Sequence, residues 1–229
     1  MSASILKFEL RYWFRGWMVY IFAFVLAVLF FGAASSENIQ IGGAIENANR
    51  NAPFVVQSYF SIASVLTLLM TTAFASAAAT RDFAYQTNQI LFTTPLRKAS
   101  YLLGRFVGSS AAAVFPLVGI SIGILLASVM PWNEPERWGA NSLAPHLAGF
   151  INFAIPNTLI TAALIFSIAA VTRSSTFAFI AAILILVGYG ISQSLISNLD
   201  NEQLALLLDP LGVRPFNRLA RYWTITDRD

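Results

Sequence analysis

Cysteine is absent from this 229-residue chain, so neither a disulfide nor a thiolate ligand or nucleophile can form. Charge is scarce: Asp, Glu, Lys and Arg make up 11% of the residues, where a soluble domain carries about a quarter. There is one histidine, His146. Without cysteine or a nearby carboxylate cluster it does not make a zinc site, and it is expected as an interfacial surface residue. No G-x-x-x-x-G-K-[ST] loop occurs, which excludes nucleotide hydrolysis by that route. No H-E-x-x-H occurs either, which excludes that zinc peptidase centre in this stretch. The bases are scattered over the ends of apolar runs, so no nucleic-acid footprint is present.

What the chain does have is apolar length. Hydrophobic residues make up 57% of it. Five runs approach or exceed the roughly 20 residues that cross a bilayer: Trp17–Ala34, Phe54–Ala79, Phe106–Met130, Leu147–Val171 and Thr176–Ile196. In lipid each backbone polar group must be satisfied within its own segment, so these runs are predicted to be helices. The fold class is therefore all-α: a polytopic helical membrane protein with about five transmembrane helices. The first run is read as an ordinary span and not as a cleaved leader, because its basic lead-in is long and four more spans follow.

The distribution of Lys and Arg orients the spans. Lys7, Arg11 and Arg15 precede the first. Arg81, Arg97, Lys98 and Arg105 lie between the second and third, and Arg173 between the fourth and fifth. The loops on the other side carry Arg50 and Arg137. The positive-inside rule then puts the N-terminus and the 81–98 segment in the cytoplasm. By the same count the 197–229 tail falls outside, although it holds Arg214, Arg218, Arg221 and Arg228.

No Asp, Glu, Lys, Arg or His lies deep in these runs. Ion-coupled carriers usually keep such a group there, so any energy for transport is expected from another subunit. In the second span Gln57, Ser61, Ser64 and Thr71 share roughly one face, which reads as a pathway lining, a subunit seam or bonding between helices of the bundle. Gly104 and Gly108, then Gly119 and Gly123, are four apart and let helix backbones approach closely. Pro116 and Pro156 are expected to kink the third and fourth spans, with Asn152 and Asn157 placed to satisfy freed backbone groups.

Two polar elements remain. Residues 2–16 form an amphipathic helix with Lys7, Arg11 and Arg15 in one stripe and Ile5, Phe8 and Tyr12 in another row. It anchors to lipid, or also docks a partner through Glu9. The second element, "RDFAYQTNQILFTTPLRK" at 81–98, is far longer than a helical hairpin needs. Arg81 and Asp82 are expected to start a turn, Ile90, Leu91 and Phe92 form an apolar tip, and Pro95 ends a short helix. That tip suits a groove on another protein, or tucks back into the membrane interface.

The order of these elements, with "TTPLRKASYLLGRF" after the cytoplasmic helix, resembles the membrane subunits of type-2 ABC transporters. Asp82, Leu91, Phe92, Thr94, Pro95, Arg97, Tyr101, Gly104 and Arg105 take the places of that family's pattern. Asn88 and Gln89 depart from it, and Arg105 replaces the commoner Lys. The loop "ENIQIGGAIENANRNAPFVV" and the tail "DPLGVRPFNRLARYWTITDRD" are similar to the N-terminal portion of bacterial ABC permease/zinc aminopeptidase fusion proteins.

The resemblance implies a permease domain over 1–196 with no catalysis of its own, in a bacterial inner membrane. It implies a separate cytoplasmic ATPase that carries the ATP and Mg, and a second permease half or a second copy of this chain. The coupling helix would use Asp82, Ile90, Leu91, Phe92, Pro95 and Arg97, with Glu9 and Arg11 of the N-terminal helix also at the ATPase. An exporter is the expected function, and a membrane anchor for a peptidase is the alternative. The family usually has six spans, so five suggest a fragment or a split gene product.

Overall fold

The computed structural model describes residues 3–36, 48–89, 93, 97–194, 207, 209–220, 223–224 and 228. Ile90, Leu91, Phe92 and Pro95 lie outside the described residues. Among the described residues there is no strand. The helices are α1 (Ala3–Arg15), α2 (Met18–Ser35), α3 (Pro53–Ala84), α4 (Lys98–Val114), α5 (Val118–Ser128), α6 (Ala144–Gly149), α7 (Ile155–Thr172), α8 (Ser175–Ser194) and α9 (Val213–Ala220). Five stretches are long and apolar enough to cross a membrane: Met18–Ser35, Pro53–Ala84, Lys98–Ser128, Ala144–Thr172 and Ser175–Ser194. This is the make-up of a multi-pass membrane protein.

Helix α3 outruns its apolar stretch. Its 32 residues span about 48 Å at 1.5 Å each, against roughly 30 Å of hydrocarbon. Arg81 and Asp82 therefore do not start a turn, as expected from the sequence; they lie in the last helical turn. The turn comes at Tyr85–Thr87, where Gln86 takes a left-handed φ of 57°. Likewise α4 begins at Lys98, eight residues before the predicted span, and so includes Arg105.

The prolines act where expected, by two different devices. Pro116 sits in a short 3-10 turn, Phe115–Leu117, that joins α4 to α5. Before Pro156 the backbone widens into a π turn, Phe150–Ala154, which accommodates a residue that donates no hydrogen bond. Asn157 does not serve the freed backbone there. Its Nδ2 donates to Ser64 Oγ at 2.9 Å and to the Leu211 carbonyl at 2.8 Å, while Asn152 is exposed.

The chain divides into two compact units. One comprises Met1–Phe22, Thr67–Pro116 and Thr158–Leu184. Its core is Val19, Met70, Phe74, Ala112 and Ala113, with Trp13, Phe14, Phe22 and Phe115 packed around them. Trp13 meets Phe74 edge-on at 4.9 Å between ring centres, and Phe14 meets Phe115 at 5.1 Å.

The other unit comprises Ala23–Leu66, Leu117–Asn157 and Ile185–Asp229. Phe30, Tyr59, Phe60, Leu117, Ile120 and Ile124 are at its centre. Arg50 Nη1 donates to the Ala34 carbonyl at 2.8 Å, satisfying an end group of α2. The Asn51 amide exchanges two 2.8 Å hydrogen bonds with the backbone of Gly139, as a strand neighbour would. Part of the tail packs into this unit. Phe216 of α9 stacks on Phe54 at 5.5 Å and meets Phe153 edge-on at 5.1 Å.

His146 is also not the surface residue expected from the sequence. It is 5% exposed, and its Nδ1 lies 3.1 Å from Ser121 Oγ. Ser121 sits on α5, far away in sequence, and nothing local to "APHLAG" announces that partner.

Candidate functional site: a buried ionic cluster

In α1, residues Ile5, Glu9 and Trp13 are one helical row, and this row faces inward. Glu9 is fully buried. Phe8 and Tyr12, the other row that runs from Ile5, are exposed. The face of α1 that packs on the protein is thus the one that carries Glu9. Glycines in α4 make room for it. A Cβ at Gly104 would lie 2.8 Å from Ile5 Cγ2, and one at Gly108 would lie 2.4 Å from Glu9 Cβ.

Burying a carboxylate costs several kcal/mol unless it is paired. Glu9 finds two partners. Arg81, from the end of α3, pairs with Glu9 Oε1, and Arg105 Nη1, from α4, lies 2.7 Å from the same oxygen. Arg105 Nη2 also bonds Asp82 Oδ2, which accepts a second hydrogen bond from the Tyr101 hydroxyl. Asp82 Oδ1 accepts from the Thr87 hydroxyl at 3.3 Å. The Arg81 guanidinium lies over the Tyr12 ring at 3.9 Å. With both acids ionised, two positive and two negative side chains cancel.

Burial lifts the Glu9 carboxyl above its usual range, while Arg105 and Arg81 pull it back. Glu9 therefore binds a proton more readily in the folded chain than in the unfolded one. Its contribution to stability is full below the unfolded value of 4.5 and is lost as the pH rises through the higher folded value. Glu9→Gln cannot ionise. The thermal midpoint of the wild-type chain minus that of Glu9→Gln should fall as the pH is raised from about 4 to about 8. A difference that stays flat or grows would contradict this.

The Glu9 and Asp82 carboxylates, expected at contacts with a partner, are buried and bonded within the chain. Lys7, Arg11 and Arg15 are exposed, as is Arg97, whose carbonyl accepts from the Tyr101 N–H at 3.1 Å. In α3, Ser61, Ser64 and Thr71 are buried, and Gln57 borders a groove of about 610 Å³ shared with Asn49, Asn51 and Ser142. Ser64 Oγ donates to the Phe60 carbonyl and accepts from Asn157, a bond between helices. A Cβ at Gly119 or Gly123 would lie 2.1 or 2.3 Å from a carbonyl oxygen of α2, that of Ala23 or Ala27.

Sequence reasoning missed the cluster because its spans stopped short of the helices that hold it. Among the described residues no group of His, Asp and Glu is placed to hold a metal ion. Comparison with protein-family models, with curated proteins and with solved structures found no match.

Proposed function

We propose that this chain is the membrane-spanning permease subunit of an ATP-driven ABC transporter, an exporter, coupled to a separate ATPase. The observation that carries the reading is the cluster of Glu9, Arg81, Asp82, Tyr101 and Arg105. It ties α1 to the end of α3 and the start of α4, the two helices that bracket residues 85–97. Force applied to that connecting segment would reach two spans and α1 together.

In this reading Lys7, Arg11, Arg15, Arg81, Arg97, Lys98, Arg105 and Arg173 mark the cytoplasmic side of a bacterial inner membrane. The ATPase binds ATP and Mg and grips the apolar tip Ile90, Leu91 and Phe92. Its closure rocks the spans between inward- and outward-facing states. A second permease half or a second copy completes the path.

The ATPase encoded beside this gene should co-purify with the chain. Leu91→Asp combined with Phe92→Asp should weaken that association by at least about tenfold, because the tip would have to bury charge. An ATPase that fails to bind, or binds the double variant equally well, rejects the proposal. Peptidase activity that is tethered by this chain and persists without the ATPase would point instead to an anchor.

A further inference from the structure

The groove of about 610 Å³ lies within the second compact unit, where the start of α3 meets the 139–148 segment. Its size is that of a small-ligand pocket. Alanines and prolines line most of it, Ala144 and Ala148 among them. Asn49, Asn51, Gln57 and Ser142 supply polar groups, and among the described residues no charged side chain borders it. Asn51 shows what an amide does at this place. Its Oδ1 accepts from the Gly139 N–H and its Nδ2 donates to the Gly139 carbonyl, so one side-chain amide matches the main chain of one residue.

A second amide borders the same groove with nothing to pair with. Gln57 is partly buried, and its side chain makes no hydrogen bond to any described residue. The main chain alongside is free as well. It is extended at Trp138, with φ −123° and ψ 122°, and stays non-helical through Ser142. The N–H and C=O of Ala140 make no hydrogen bond to any described residue. Extended peptides satisfy such open main-chain groups by lying beside them as an added strand. The uncharged lining selects against charged side chains, which would lose water without gaining a partner. No aromatic ring lines the groove, so a sugar finds no flat face to pack on. We infer that this groove binds an extended peptide segment with small uncharged side chains. The Gln57 amide pairs with the N–H and C=O of one of its residues, as Asn51 pairs with Gly139. The Ala140 main chain continues the pairing, and the peptide's side chains pack on Ala144 and Ala148. The inference involves no ATPase, so it stands or falls separately from the transporter reading.

The purified full chain in detergent, titrated with acetyl-trialanine-amide, should show saturable binding by calorimetry, with a Kd in the millimolar range or tighter. The same peptide methylated on its backbone nitrogens cannot donate, and it should bind about tenfold more weakly or worse. Gln57→Leu removes an amide that bonds nothing within the described chain, so the variant should melt with the wild type. Its affinity for the peptide should fall by about tenfold or more. Ala148→Phe, which fills the groove, should abolish binding. No saturable binding by the wild type, or equal binding by wild type and Gln57→Leu, overturns the proposal. So does trehalose that matches the peptide at the same concentration, since the groove would then be reading hydroxyls and not a main chain.

Discussion

Replacing Arg105 by methionine should destabilise the folded chain by about 3–5 kcal/mol, the usual cost of breaking a buried ion pair from one side. Arg105 is the one residue of the cluster that touches both acids. Methionine fills much of the space but leaves Asp82 with hydroxyl donors alone and Glu9 with Arg81 alone. Either a carboxylate stays buried without its cation, or it takes up a proton. The measurement is the thermal midpoint of the chain in detergent, compared with Arg11→Met, where the arginine is exposed and the expected change is within about 0.5 kcal/mol. Equal midpoints would mean the cluster holds nothing together.

The second large effect is expected at Gly123. A Cβ there would sit 2.3 Å from the Ala27 carbonyl oxygen and 2.8 Å from the Phe31 nitrogen, both main-chain atoms of α2. A side chain in the way can swing aside, but a helix backbone cannot without moving the helix. Gly123→Leu should therefore cost about 3 kcal/mol, the upper end of what overpacking usually does. Gly188 is the control, since nothing lies within 4 Å of the Cβ it would gain. Gly188→Ala should be neutral or stabilise by up to about 1 kcal/mol, because alanine suits a helix better than glycine does. If both variants melt alike, α2 and α5 do not approach as closely as described.

Hydropathy made the five long helices legible, because an apolar run near 20 residues has few other uses. Their true ends were not legible in the same way. Arg81, Asp82 and Arg105 look like loop residues when a span is cut where charge begins, yet the helices continue through them. Neither was the direction in which α1 faces. Ile5 begins two rows, one through Phe8 and Tyr12 and one through Glu9 and Trp13. A carboxylate in the second row argues against burying it until its partners are known. Those partners sit on other helices, so only the tertiary fold decides. Gly104 and Gly108 carried the one local hint, since small residues four apart announce a close neighbour without saying which. His146 failed to show its burial for the same reason as Glu9.

The distance along the chain between Glu9 and its partners also sets an order of assembly. Arg81 lies 72 residues from Glu9, and Arg105 follows later still. At the usual pace of synthesis, Glu9 waits on the order of ten seconds before either arginine has been made. For that interval α1 cannot take its final seat, and its exposed basic row would hold it on the membrane surface instead. Docking of the first helix then waits for the middle of the chain, although its own residues leave the ribosome first.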